Sequence, residues 1–575
     1  MKPSPTRRLL RTGLCTALAL APVSSHAQYL WNQHTADQEY LWSNDANWLH
    51  DATAEAPGNP ESEEIQFVRS IAAGQTSYTV VMDQGDQVVT GGVLFSQGTS
   101  SAGTLTLDLN EHRLTVGSGR MFFNPGSGGD RTVALFRNGT LQFGQGSQQA
   151  DLILGGNSAA GNAANVITVA SGNSLTFDST GLNHLLIASP SGYDNNNNLK
   201  LDFSTASFVS GGQSDTLTLA GTLSLGRADG ASAPITGARH RKGELDLGVL
   251  ATLSIGEDLV LGESNRTSSN INADSVGILR FSTAPEQGSL TMTVGRDLRI
   301  GVGVNTTGSV LDVPDELHLK IGSAEQRARR VLIGYKPAAE ANARGNAAGS
   351  LTAGSGTLEA YLEEFRVGQN NHAQDQATGS FDFRDATLSV LDISGDAVIG
   401  SGANAVGKVW LHGGEASSLH LTVGDTAVGD PADRSLLHLE QTAWSVTSSL
   451  TVGSNGDLQI VLGEDGNGGL DLLFDDPASL TIADGGIISI DFGGLPQGSN
   501  VWGLRMAGDQ VSALKLLLGS RIVGLGAHGE EAALFTDGSH TYYGFAVIPE
   551  PRAWSLALSS LALLVMFLRR KPTTL

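Results

Sequence analysis

Short runs of alternating apolar and polar residues fill most of the chain, and two motifs recur between residues 71 and 480. The first, the aliphatic-glycine motif, is an aliphatic residue followed by glycine at the end of a β-type run. From Gly226 to Gly400 its copies are 32 to 39 residues apart, a spacing typical of repeat proteins. The copies are Val116-Gly117, Leu154-Gly155, Leu225-Gly226, Leu261-Gly262, Ile300-Gly301, Ile333-Gly334, Val367-Gly368, Ile399-Gly400 and Val452-Gly453, with Ile187-Ala188 in the same place.

The second motif, the glycine-alternation motif, is a glycine followed by alternating residues with apolar side chains at every second position. It falls roughly midway between aliphatic-glycine motifs, and a period of two predicts a half-buried β-strand. Each unit therefore has at least two strands, joined by loops rich in Gly, Ser, Asn and Ala. The copies are Gly139–Phe143, Gly243–Leu247, Gly277–Phe281, Gly379–Phe383 and Gly407–Leu411.

A single unit of this kind cannot bury its apolar face. Stacking similar units along one axis buries that face continuously and pairs each backbone with its neighbours. We therefore predict an all-β fold in which residues 71–480 form a repeat β-solenoid, as a right-handed parallel β-helix. About a dozen turns at roughly 4.8 Å would give a rod near 60 Å long. The spacing leaves open whether each turn has two strands or three.

The segments on either side of the repeats differ in composition. Residues 28–70 hold three of the seven tryptophans, Trp31, Trp42 and Trp48. Because the open ends of a stacked sheet must be covered, we interpret this segment as a Trp-rich N-terminal cap; the alternative is an aromatic platform for sugar. Residues 481–546 combine β-type runs with a short helical pattern and are predicted to form a C-terminal β cap.

Residues 1–27 have the parts of a secretory signal peptide. Four Lys or Arg residues precede a largely apolar run at 14–23, and Ser25 and Ala27 place small residues at the −3 and −1 positions. We predict cleavage after Ala27 by the export machinery. The adjacent arginines at positions 7 and 8 leave both the general secretory and the twin-arginine routes open.

The C-terminal 29 residues have three consecutive parts. Proline fixes φ and restricts the residue before it, so the stretch around Pro549, Glu550 and Pro551 is rigid and non-helical. Residues 553–568 are predicted to form a transmembrane helix, although an uncharged run of fifteen residues spans only about 22 Å of a ~30 Å hydrocarbon core. A cluster of cations that follows would lie on the cytoplasmic side; it is Arg569, Arg570 and Lys571. The alternative is a buried C-terminal helix.

The order Pro-Glu-Pro, apolar span and Arg-rich end resembles the PEP-CTERM sorting signal of Gram-negative bacteria, here residues 547–571. In that family an exosortase, a membrane cysteine transpeptidase-like enzyme, is thought to recognise the motif. The resemblance implies that Pro549, Glu550 and Pro551 are a substrate site for such an enzyme. Residues 42–67 also resemble the N-terminal segment of exported repeat proteins with PEP-CTERM tails or autotransporter passengers.

Composition narrows the possible functions. The net charge is −23 and becomes −27 when the four basic residues of the signal are removed, which argues against nucleic-acid binding and against electrostatic binding to an anionic membrane surface. The only cysteine, Cys15, lies in the signal, so the mature chain has no disulfide, thiol nucleophile or Cys-ligated zinc. We expect no cofactor.

Few residues are candidates for chemistry. Asp382 and Arg384 share one face of a predicted strand, with Asp385 beside them, and paired acids serve glycoside chemistry. Alternating charges are also typical of the solvent-exposed face of any strand. His412 and Asp475-Asp476 are no stronger as candidates for an active site. The Gly463–Asp471 segment resembles a calcium-binding Gly/Asp repeat. Repeats of this type need several copies in tandem, and the sequence contains one, so the alternative is a simple acidic turn.

These observations favour an exported structural or adhesive protein of the cell surface or extracellular matrix, first anchored in the inner membrane through its C-terminus. The resemblance links such proteins to exopolysaccharide and biofilm, which makes exopolysaccharide a candidate partner. The alternative is a polysaccharide lyase or glycoside hydrolase on a β-helix scaffold.

Overall fold

The structure is a computed structural model. It describes residues 28–31, 38–50, 64–69, 77–97, 105–124, 131–155, 164–169, 174–188, 197–228, 239–264, 273–283, 289–337, 345–372, 375–424, 433–493, 495, 501–526 and 529–545.

The described chain is almost entirely β-structure, which confirms the predicted all-β class. Successive turns of the chain pair in parallel, and the pairs form three ladders that we call A, B and C. Each complete turn of the chain contributes one strand segment to each ladder, which makes three segments per turn. Some long strands continue from one ladder into the next. In its first half, ladder C forms a separate sheet that ends in the antiparallel pair Ser207–Ser210 and Gln213–Ser214.

The strands are grouped here by ladder. Ladder A contains Gln28–Trp31, Glu64–Arg69, Val93–Gln97, Arg120–Asn124, Ala150–Leu154, Leu182–Ile187, Leu223–Ala228, Leu259–Ser264, Asp297–Gly303, Ala328–Ile333 and Asp396–Ile399, and ends with Leu480–Ile482. Ladder B contains Glu39–Leu41, Tyr78–Val81, Leu105–Asp108, Arg131–Arg137, Ala164–Val169, Asn197–Asp202, Arg239–Leu250, Ala273–Thr283, Ala405–His412, Ser435–Glu440, Gly456–Val461, Ile487–Asp491 and Ile522–Leu525. Ladder C contains Gln87–Val89, Arg113–Val116, Gly139–Phe143, Leu175–Asp178, Ser207–Ser210, Thr216–Leu219, Thr252–Ile255, Ser289–Val294, Gly469–Leu472 and Val501–Ala507. Strands shared between ladders are Ser309–Ile321, Ala347–Val367, Ala377–Ile393, Glu415–Val423 and Ala443–Val452.

One buried column explains the aliphatic-glycine motif. Its aliphatic residues lie in register along ladder A, each opposite the next one turn on, and burying each stabilises the fold by roughly 1.5–3 kcal/mol. The column begins with the stacked rings of Phe67, Phe95 and Phe123, whose centroids are 5.0 and 4.5 Å apart. It continues through Leu154, Ile187, Leu225, Leu261, Ile300, Ile333, Val367, Ile399, Val423, Val452 and Ile482.

The glycines of the two motifs meet at one corner in several turns. Gly368 follows ladder A with a φ of +65°, a left-handed conformation that favours glycine. A Cβ atom there would overlap the carbonyl of Val406, and one at Gly379, where the same turn enters ladder B, would overlap the amide nitrogen of Gly368. The two motifs are therefore two halves of one tight corner. Val116 and Gly139, which we had grouped with these motifs, lie in ladder C instead.

The N-terminal end is closed by aromatic side chains and an antiparallel strand pair. Gln28–Trp31 pairs antiparallel with Trp48–His50 and parallel with Glu64–Arg69. Trp31, Trp42 and Trp48 are buried, and the rings of Trp31 and Trp48 pack edge to face with centroids 4.7 Å apart. Buried rings cannot offer a face to sugar, so these tryptophans cover the end of the stack.

The C-terminal end also changes to antiparallel pairing. Parallel pairing continues beyond residue 480, as far as Ile522–Leu525. Val501–Ala507 then pairs antiparallel with His540–Phe545, which also pairs with Ala533–Thr536. The short helix Val511–Lys515 lies here, with one-turn helices at Asp45–Asn47, Pro477–Ser479 and Gly529–Glu531.

The predicted signal peptide and the predicted sorting tail lie outside the described residues. This includes Ala27, the motif Pro549 to Pro551, the predicted span 553–568 and the cations at 569–571. Among the residues that are described, no helix is long and apolar enough to cross a bilayer.

Candidate functional site

A groove of about 520 Å³ lies where four successive turns enter ladder B. Its floor includes outward-facing Val310, Ser350, Ser380 and Lys408, which lie in register one turn apart. Glycines at the strand starts keep the floor low, Ala348, Ala405 and Val406 add apolar surface, and polar side chains complete the lining. These polar residues are Ser309, Gln376, Thr378, Asn404, Asp433 and Asn455. Such a surface presents hydrogen-bond donors and acceptors at intervals of roughly 4.8 Å.

An aromatic and charged cluster continues the outward surface from Lys408. Trp410 is two residues further along the strand, opposite Asp382 on one neighbouring turn and His438 on the other. The Arg384 guanidinium lies over the Trp410 ring, 4.5 Å from its centroid. The structure thus brings the candidates Asp382 and Arg384 together beside an aromatic residue that sequence reasoning did not single out.

The Asp382 carboxylate is fully engaged by Arg384. Arg384 Nε donates to Oδ1 at 2.9 Å and Nη2 donates to Oδ2 at 2.7 Å. The hydrogen bonds to Asp382 raise the pKa of Arg384. Both carboxylate oxygens of Asp382 therefore accept hydrogen bonds from the guanidinium.

The other acid and histidine candidates make separate contacts. Asp385 is exposed, and His412 faces Glu440 on the next turn, with Nδ1 and Oε2 3.7 Å apart. Asp476 caps a one-turn helix by accepting from the amide of Ala478 at 2.9 Å, and Asp475 is exposed beside it. The charge of Asp385 helps to raise the pKa of Arg384, and His412 lies two positions beyond Trp410 on the same strand. Asp475 and Asp476 belong to a different segment, before the helix Pro477–Ser479.

The calcium-like turn Gly463–Asp471 is partly committed to other contacts. Asp471 is buried and pairs with Arg505, whose Nε donates to Oδ1 at 2.8 Å. Glu464 and Asp465 are exposed at the turn. Within the part of the chain that the structure describes, no three His, Cys, Asp or Glu residues are grouped so as to hold a metal ion.

A buried ion-pair network lies in ladder A. Arg299 Nη1 donates to Glu263 Oε1 at 2.8 Å, and Nη2 donates to Asp258 Oδ2 at 2.5 Å. Asp297 also accepts from Arg330 Nε at 3.0 Å. In the sequence, an acidic residue precedes several copies of the aliphatic-glycine motif, and Asp258 and Asp297 are two of these acids. The spacing of the motif does not reveal the arginines that pair with them from neighbouring turns.

Comparison with known proteins adds no further assignment: no protein-family model, curated protein or solved structure matches the chain.

Proposed function

We propose that this protein is an exported structural or adhesive rod, a right-handed β-solenoid, that is sorted through a PEP-CTERM tail and contacts exopolysaccharide at the cell surface or in the matrix. The observation that carries the proposal is the set of three parallel ladders, closed at both ends by antiparallel strands. Such a stack buries one continuous core and keeps its outward faces free along its length.

The sorting motif would lie close to the end of the rod. Pro549 follows Phe545, the last described residue, by four positions. Four extended residues span at most about 14 Å, so a membrane enzyme that reads Pro549, Glu550 and Pro551 would act next to the C-terminal cap. The predicted helix 553–568 would hold the chain in the inner membrane until then.

The proposed contact with exopolysaccharide is the groove together with Trp410. A polysaccharide presents hydroxyl groups at regular intervals, and the hydroxyl, amide, amine and carboxylate groups of the groove can both donate to and accept from them. Trp410 adds an apolar surface with a polar edge, the type of side chain that is enriched at binding surfaces. Arg384 holds the ring in place through the cation–π contact.

Replacing Trp410 by alanine should weaken binding to exopolysaccharide extracted from the bacterium that expresses the protein. We expect roughly tenfold weaker binding, equivalent to about 1.4 kcal/mol, with little loss of stability because the side chain faces outward. The measurement is cosedimentation or calorimetry with the extracted polymer. Trp502→Ala is the matched control, since Trp502 also faces outward beneath an arginine, Arg505. Trp502 lies on Val501–Ala507 in ladder C, whereas Trp410 shares a ladder B strand with the groove residue Lys408.

The same samples test the enzymatic alternative. Equal losses from Trp410→Ala and Trp502→Ala, or none from either, would remove the proposed contact face. New reducing ends or unsaturated products released from the polymer would instead support the lyase or hydrolase interpretation, and Asp382→Asn would then be the first variant to assay for loss of that activity.

A further inference from the structure

A lysine with no solvent-exposed side-chain surface lies at a corner between two turns. Lys336 follows ladder A and its side chain is 0% exposed. Its backbone pairs in parallel with Asn370 one turn on, and its amide donates to the carbonyl of Gln369 at 2.8 Å. The Lys336 Nζ contacts the Gly345 carbonyl oxygen at 2.5 Å and the Asp375 carboxylate at Oδ2. A complete lysine side chain is thus held against one carboxylate.

A histidine lies against the carboxylate, and an asparagine holds the backbone around it. His372 Nδ1 lies 2.9 Å from Asp375 Oδ2, and both of these side chains are largely buried. Asn370 Nδ2 donates to the backbone carbonyls of Asp375 and Ala403 at 2.5 and 2.6 Å, and Asn370 Oδ1 accepts from the amide of His372 at 2.8 Å. Asn370 therefore positions the backbone that carries both the acid and the histidine.

Burial at this corner disfavours charged groups. Burial lowers the pKa of Lys336, and although the hydrogen bond and charge of Asp375 act in the opposite direction, the net shift is downward. Removal from water thus favours the neutral amine of Lys336. A neutral amine is the nucleophile that amide formation needs, and fixed proximity supplies much of what a condensation requires.

We propose that Lys336 and Asp375 join in an intramolecular amide bond. The Lys336 ammonium first passes one proton to Asp375 Oδ2, which it contacts. The resulting amine attacks the Asp375 Cγ, the Nζ–Cγ bond forms and the Cγ–Oδ2 bond breaks. His372 accepts a proton from the attacking nitrogen and delivers it to the leaving oxygen, which it contacts. An ammonium and a carboxylate thus become one amide and one water molecule, so the step needs no oxidant and no co-reactant.

Such a bond would serve this chain as a covalent lock. The sequence contains one cysteine, so no disulfide can form within the molecule. The two residues are 39 positions apart, and closing a loop of that size restricts the unfolded chain. The lock would tie the loop that follows one turn to the loop that follows the next.

The test is a tryptic map of the full chain. Trypsin cuts after Arg330, Arg344, Arg366 and Arg384, and Lys336 precedes proline, where trypsin does not cut. We expect peptides 331–344 and 367–384 to appear as one branched species, lighter than their sum by the mass of one water, with fragmentation placing the branch at the two side chains. Recovery of both peptides unjoined would overturn the proposal.

Variants separate the chemistry from simple packing. Lys336→Met and Asp375→Ala should abolish the branched species. His372→Gln keeps a hydrogen-bonding side chain but cannot shuttle the proton, so the joined fraction in freshly made protein should fall by roughly tenfold or more. Lys320 and Glu359 are the matched control, an exposed pair with Nζ and Oε1 3.0 Å apart. An equal yield of branched peptide from this exposed pair would also overturn the proposal.

Discussion

Replacing Gly368 by valine should destabilise the rod by about 4 kcal/mol. Two costs combine at this position. A β-branched residue at a φ of +65° is strained by roughly 1–3 kcal/mol, and the added side chain must displace the Val406 carbonyl, an overpacking cost of typically 1–3 kcal/mol. The measurement is the shift in the urea unfolding transition, followed by limited proteolysis to locate the weakened turn.

Gly211→Val is the control for this substitution. Gly211 has a φ of +57°, but nothing lies within 4 Å of the Cβ position, so only the conformational cost applies. A loss at Gly368 no larger than the loss at Gly211 would show that the close approach at the corner contributes little. Ala188, with a φ of +52°, shows that one natural turn accepts a Cβ in this conformation.

Replacing Arg299 by methionine should cost about 3–5 kcal/mol at pH 7. The methionine keeps an apolar side chain of similar length, but Asp258, Glu263 and Asp297 lose the guanidinium that they share. Removing one partner of a buried ion pair has a cost of that size because the other charge stays buried without compensation. All three acids are buried. Arg384→Met is the control, because Arg384 is about half exposed and exposed pairs contribute roughly 0–1 kcal/mol.

The effect of Arg299→Met should depend on pH. Burial alone raises the pKa of Asp258, but hydrogen bonding and charge from Arg296 and Arg299 outweigh it, so the net pKa is lowered. A carboxyl group whose pKa is lowered by folding stabilises the fold at any pH above its ordinary pKa of about 3.9. That stabilisation is lost as pH falls through the pKa of the group in the folded protein. Without Arg299 the pKa of Asp258 rises, so the difference between variant and parent should shrink as pH falls below the ordinary value of about 3.9. A difference that is constant from pH 7 down to about pH 2 would contradict the assignment.

Periodicity and alternation were enough to predict the fold class, because the aliphatic residues before each glycine form the buried column of ladder A. Val423 belongs to that column but was missed, since its turn is shorter than the preceding ones. Val116 and Gly139 were grouped with the two motifs although they lie in ladder C, because three strand segments share the same local pattern. Spacing alone does not distinguish them.

The candidate sites were less accessible from the sequence. Asp382 and Arg384 were found because they are two positions apart on one strand, but Trp410, which completes their cluster, is a turn away. Arg299 and its acids, and Lys336 with Asp375, come together only through pairing between turns. Loops of variable length separate these partners, so no fixed spacing reveals them.

The central claim is that the rod is exported and sorted through its tail, and intact mass tests it most directly. The protein would be isolated from each cell fraction, in strains with and without the sorting enzyme, beside a Pro549→Ala, Pro551→Ala double variant. We predict a mature N-terminus at Gln28 and a C-terminus near Pro551, in the surface or matrix fraction only when the enzyme is present and the motif is intact. An intact tail in the inner membrane under every condition, or unchanged processing of the double variant, would contradict the account.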